Sequence, residues 1–223
     1  MGRNGLKPGR LSAVTCALAG YVLLVRPRLL TWGATPDEVA RTYPGDDLIP
    51  DTGSSSIMAT TLPAPPEEVW PWLVQMGCNR GGWYSWDRLD NGGRPSARRI
   101  VPDWQSLKEG QRLNAVSSGH TWFTVALLVP DRTLVLRSDV ELRSGRSFDI
   151  RSEPLPRAYV DSLWGFHLEP APGGQTRLVV RGRGRSRPRP FTRSADLLFW
   201  EPAHFIMQTR QFHNLRERVT TRA

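Results

Sequence analysis

The stretch AYVDSLWGFHLEPAPGGQTRLVVRGRGR, residues 158–185, holds two runs of period-two alternation separated by the turn-forming PAPGG at 170–174. Such a pattern predicts an antiparallel hairpin of two long strands. In the first run, Val160, Ser162, Trp164, Phe166 and Leu168 share one side, and Tyr159, Asp161, His167 and Glu169 share the other. The second run keeps its parity beyond the hydrophobic residues. Arg177, Val179, Arg181, Arg183 and Arg185 lie on one side, and Leu178, Val180, Gly182 and Gly184 on the other. The arginine-rich tail RGRGRSRPRP, residues 181–190, has three readings: a nucleic-acid arm, a membrane-surface clamp, or the solvated side of a strand. The unbroken parity favours the third, with the glycines turned inward and making room there.

Working outward, RLNAV, TWFTVALLV, TLVLRS and SFDIRS upstream are further strand-like runs, which makes a meander of six. Before them, Ser56–Leu62 is a short strand candidate. The stretch at 66–77 then places Val69, Trp72, Leu73 and Met76 on one helical stripe, with Pro71 expected to kink it. The chain closes in a helical segment from Thr192 to Val219, with an interruption expected at Pro202. One strand, a helix, a meander and a long helix predict an α+β fold, with a curved antiparallel sheet of about seven strands wrapped around the C-terminal helix. The space between the two is a natural small-molecule pocket.

Charge is unevenly placed along the 223 residues, whose net charge is +9. Residues 1–30 carry five basic side chains and no acid, and residues 181–223 carry ten arginines against Asp196, Glu201 and Glu217. The body between them is slightly acidic. Basic ends on a near-neutral body suit an anionic membrane surface better than a duplex-binding domain, so nucleic acid is disfavoured as a partner. The run LSAVTCALAGYVLLV, Leu11 to Val25, is uncharged and preceded by a basic start. As a helix it spans about 22 Å, short of the ~30 Å hydrocarbon core. A membrane-lying or anchoring helix, a signal peptide, and a helix packed on the domain all remain open, and cytoplasmic placement is the alternative to membrane association. Cys16 and Cys78 are too far apart in sequence to read as a metal knuckle. The expected organisation is a basic N-terminus with a hydrophobic helix over 1–31, a connector over 32–56, and a domain over 57–223.

Several motifs in order, WGAT (32–35), PGDDLIPD (44–51), APPEEVWPWLVQMG (64–77), RGGWYSWDRLDN (80–91), RIVPDWQSLKEG (99–110) and EPAHFIM (201–207), resemble the SRPBCC superfamily. This superfamily comprises START-like, helix-grip proteins and includes polyketide cyclase/dehydrase-like members. The resemblance covers about Trp32 to Arg218. It implies a cavity that holds a lipid, isoprenoid or polyketide-like molecule, and in some members cyclises or dehydrates it.

The residues themselves suggest where such a ligand would sit. Trp83, Tyr84 and Trp86 follow two glycines and offer flat apolar surface with polar handles. Trp104, Trp164, Phe166 and Gln208 are further candidates for the lining. Glu201 and His204, spaced i, i+3 on the last helix, form the candidate acid–base pair of an enzyme, with Asp87 as a third catalytic candidate. No metal set, P-loop, GxGxxG or GxSxG is present, and no cofactor is expected. Binding of a hydrophobic small molecule at a membrane is the leading expectation. A cyclase or dehydratase is the alternative.

Overall fold

The computed structural model describes residues 15–16, 18–189, 193–194 and 196–221. Strands β1 (Ser54–Leu62), β2 (Arg112–Asn114), β3 (Trp122–Val129), β4 (Thr133–Glu141), β6 (Tyr159–Ala171) and β7 (Gln175–Arg187) form one antiparallel sheet in the order β1-β7-β6-β4-β3-β2. The two-residue β5 (Arg146–Ser147) pairs with β4. The hairpin over 158–185 is the expected one, with Phe166 opposite Val180 and Trp164 opposite Gly182. The run SFDIRS contributes only Ser147 to a strand.

The helices are α1 (Arg26–Leu30), preceded by a wide π-type turn at Tyr21–Val25, α2 (Pro36–Ala40), α3 (Pro66–Val74), α4 (Asp87–Asp90) and α5 (Glu201–Thr220), itself preceded by a wide turn at Asp196–Trp200. Pro202 does not interrupt α5 but occupies its first turn, at the junction with the wide turn at Asp196–Trp200, where the regular α-helical ladder has only begun and a missing N–H costs little. The expected start at Thr192 lies outside the described residues, as do Leu11–Val14 of the hydrophobic run. Among the described residues no helix is long and apolar enough to cross a membrane.

The inner face of the sheet meets α3 and α5. Met58, Leu62, Leu134, Leu136, Phe166, Leu168, Leu178 and Val180 are sealed there against Val69, Leu73, Phe212, Leu215 and Val219. Side chains of this size each contribute about 1.5–3 kcal/mol when fully buried.

The outer face corrects the expectation of a solvated arginine row. The segment expected as a connector folds over this face as a second layer. Tyr43 packs with Ile57, Ala59 and Val179, while Ile49 packs with Val135 and Leu163. Most arginines of β7 then meet an acid, Arg183 included, whose Nε lies 3.6 Å from Asp46. Glu38 accepts from Arg177 at 2.7 and 2.8 Å, Asp46 accepts from Arg181 at 2.9 Å, and Asp161 accepts from Arg185 at 2.8 Å and from Arg137 at 2.9 Å. Arg183 donates to the carbonyl of Ile49 at 3.0 Å. The chain passes from the inner to the outer side around the β1 edge at Gly33. There the backbone has φ +72°, and a Cβ would lie 2.2 Å from the Ala59 carbonyl oxygen, so only glycine fits.

Candidate ligand-binding site

The inner face is not sealed along its whole length. Beyond Val180 on β7 come Gly182 and Gly184, opposite Ser56 and Ser54 of β1 and Trp164 and Ser162 of β6. Small side chains here set the sheet back from the helix. Ser54, Ser56, Val160, Ser162, Trp164 and Gly182 accordingly stay partly accessible, as do Ala203, His204 and Met207 on the first two turns of α5. The C-terminal half of α5 is buried against the sheet at Phe212, Leu215 and Val219, whereas its first two turns are only partly buried, near the serine hydroxyls of β1 and β6 and the Trp164 ring.

His204 marks this region. Its Nε2 lies 4.0 Å from the position that a Cβ on Gly182 would take. Dense surroundings strip water from the imidazole and push its pKa down to about 4, although part of its surface is still reachable. It is a neutral donor and acceptor at physiological pH. The aromatic wall is built from Trp164, with ring centroids 4.8 Å from Phe166, 5.6 Å from Trp83 and 5.8 Å from Phe123. Its orientation is held by a chain of amides: Trp164 Nε1 donates to Gln208 at 3.0 Å, Gln208 to Gln211 at 2.8 Å, and Gln211 to the carbonyl of Trp83 at 2.8 Å. Buried amides are stable in this position because each donor finds an acceptor.

The structure brings together His204, Gln208, Trp164 and Trp83 from the expected set, with Phe166 beneath them in the sealed core. Tyr84 is fully buried behind, where Gln75 donates to its hydroxyl at 2.9 Å. Trp86 and Asp87 go elsewhere. Trp86 is exposed with the Arg210 guanidinium over its ring, and Asp87 accepts from the amide and hydroxyl of Ser96 at 3.1 and 2.5 Å. Both line a separate groove of about 550 Å³ between the 85–98 region and the outer side of α5. Trp104 lies on a one-turn helix whose carbonyl accepts from Arg80 at 2.7 Å, and it takes no part in the wall. Glu201 is not paired with His204. Both of its oxygens accept from Arg26, at 2.6 and 2.8 Å.

Sequence reasoning missed Ser54, Ser56, Gln211 and Asn214. The last two hold the 83–85 loop by its carbonyls. Amides at 208, 211 and 214 on the face that also carries Phe212 and Leu215 were the available signal. Among the described residues no three His, Cys, Asp or Glu side chains gather to hold a metal.

Sheet, gripping helix and partly open inner space together define an α+β protein of helix-grip type. No protein-family model and no curated protein matches the chain. Among solved structures it is similar to a hypothetical protein from Helicobacter pylori, at 12% identity and a TM-score of 0.48 over 79% of this chain and 94% of that one. A protein from Mesorhizobium loti is 17% identical, with a TM-score of 0.44 over 75% of this chain and 97% of that one. An HSP90 activator from Plasmodium falciparum is 14% identical, with a TM-score of 0.36 over 59% of this chain and 73% of that one. At such identities a likeness concerns the path of the chain and not its ligand.

Proposed function

We propose that this protein binds one hydrophobic small molecule carrying a single hydroxyl or carbonyl group, of the lipid, isoprenoid or polyketide-like kind, between the sheet and the N-terminal half of α5. The observation that carries the reading is the partial exposure of the inner-face residues around Gly182 and the first turns of α5, where neutral His204 lies near the aromatic cluster of Trp164 and Trp83. An apolar lining with few polar groups suits a ligand with one polar end, which His204 and the serine hydroxyls would meet. The motif resemblance to START-like proteins supports the same class.

Acid–base catalysis has less support. A cyclase or dehydratase needs two convergent titratable groups at one substrate position, and Arg26 occupies both oxygens of the proposed partner Glu201.

Native mass spectrometry on protein purified from a lipid-rich extract tests the reading. The expected result is one bound hydrophobic molecule per chain. In Gly182→Val, whose Cβ would displace the Ser56 hydroxyl and whose methyls would press toward His204, occupancy should fall at least fivefold while the circular dichroism spectrum is kept. Protein that repeatedly emerges empty from such extracts, or a Gly182→Val variant as loaded as the parent, would sink it.

A further inference from the structure

Two helical stretches far apart in sequence present large apolar side chains to solvent on one side of the molecule. Leu23 is 72% exposed and Leu24 60%, while Leu198, Phe199 and Trp200 are 61–63% and Ile206 52% exposed. The stretches adjoin, because the Tyr21 hydroxyl donates to the Leu197 carbonyl at 3.0 Å and Arg26 pairs with Glu201. Trp32, just after α1, stacks on Phe212 and meets Phe205 edge-on, which lays α1 along α5. The wide turns at 21–25 and 196–200 carry most of the exposed residues. A contiguous patch of this kind is uncommon on a monomer surface and marks an interaction site.

Charge decides what covers it. The two segments that form the patch belong to the two basic ends of the chain. Residues 1–30 carry +5, and residues 181–223 carry ten arginines against three acids, or +7. Arg26 is paired with Glu201, Arg181 with Asp46 and Arg185 with Asp161, so the charge open to a partner comes from the remaining basic side chains. A second copy seated here would bring two such ends together and be repelled. An anionic lipid surface would take up the apolar side chains and attract the basic rim, including the exposed Arg28, Arg187 and Arg193. Phe199 and Trp200, in edge-to-face contact with centroids 5.2 Å apart, are the side chains suited to the headgroup–acyl boundary.

We infer that the face formed by Leu23, Leu24, Leu198, Phe199, Trp200 and Ile206 docks on an anionic membrane surface. The inference rests on the ligand reading in one respect: His204, at the mouth of the proposed ligand space, is one turn along α5 from Trp200. A docked molecule therefore presents that mouth to the bilayer, and a hydrophobic ligand would pass between the two without crossing water.

Vesicle co-sedimentation of the full-length protein tests the inference, with phosphatidylcholine vesicles against vesicles containing about a third phosphatidylserine. Binding should be at least tenfold tighter to the anionic vesicles and should weaken at high salt. It should fall at least tenfold in Phe199→Ser/Trp200→Ser and be largely kept in Phe199→Leu/Trp200→Leu. Failure of the parent protein to sediment with anionic vesicles would overturn the inference, as would a serine variant that binds as well as the parent. Self-association in sedimentation velocity that the serine variant abolishes would assign the face to a second copy instead. Vesicle binding that survives alongside a persistently empty ligand space would overturn the ligand reading and leave the membrane face standing.

Discussion

Burial holds two imidazoles neutral, in different parts of the fold. His204 faces the proposed ligand space. His167 lies on the outer face beneath Tyr43, its ring 4.8 Å away, with no hydrogen-bond partner at Nε2 among the described residues. Burial pushes the His167 pKa down from 6.5 to about 4. Between those values the unfolded chain binds a proton that the folded one does not, so this residue removes stability as pH falls from 6.5 toward 4. From pH 7.5 to 5 the loss attributable to His167 is about 2 kcal/mol. His167→Gln should therefore show a smaller drop in melting temperature over that range than the parent, and equal drops would refute the assignment. The neighbouring carboxylate Asp161 is fully buried between Arg137 and Arg185. Asp161→Asn leaves Arg185 without its carboxylate and Arg137 with Asp139 alone at 3.4 Å, and chemical denaturation should register a loss of about 3 kcal/mol.

At the scale of elements, the outer layer hangs on a few ion pairs and two small apolar clusters, whereas the inner core is continuous. Glu38 forms a capping box with Thr35 and also holds Arg177, and Asp46 holds Arg181. The double variant Glu38→Gln/Asp46→Asn should loosen 33–50 while the sheet stays folded. In limited proteolysis the first cuts should move into that segment, and its amides should exchange faster than those of β6 and β7. Cuts distributed as in the parent protein would contradict this.

These same elements divide what the sequence disclosed from what it concealed. Strand parity over 158–185 identified both faces of the hairpin correctly, because side-chain alternation is a local property. It could not reveal that the polar face is covered, since the covering acids lie 139 residues from Arg177 and 135 from Arg181. Trp164, His204 and Gln208 could be brought to one region of the fold from sequence because regular elements carry them. Trp83 and Trp86, three residues apart in a loop, go to opposite sides around Tyr84, whose φ is +57°, and no periodicity signals that turn. At Pro202 the helix changes type and does not break: the wide π-type turn at Asp196–Trp200 gives way to α5, so the proline ring falls where the regular i→i−4 ladder begins.

For the molecule as a whole, the ion pairing of β7 redirects the meaning of its charge. Arg177, Arg181 and Arg185 are held by acids of the same chain, and Arg183 by a backbone carbonyl. They are not available to phosphates. A gel shift with duplex DNA or single-stranded RNA should show no complex at about 150 mM salt, whereas a retained complex would restore the nucleic-acid reading.

The outer layer also imposes a timetable on synthesis. Glu38 leaves the ribosome long before Arg177, and at about 5–20 residues per second the 139 intervening residues take roughly 7–28 s to make. During that interval Glu38, Tyr43 and Ile49 have no β7 to fold against, and the sheet's central hairpin does not yet exist. The first folded layer of the chain in sequence is thus the last to be completed in time. Nascent chains halted before residue 175 would carry this segment unprotected and offer it to whatever chaperone or protease waits at the exit.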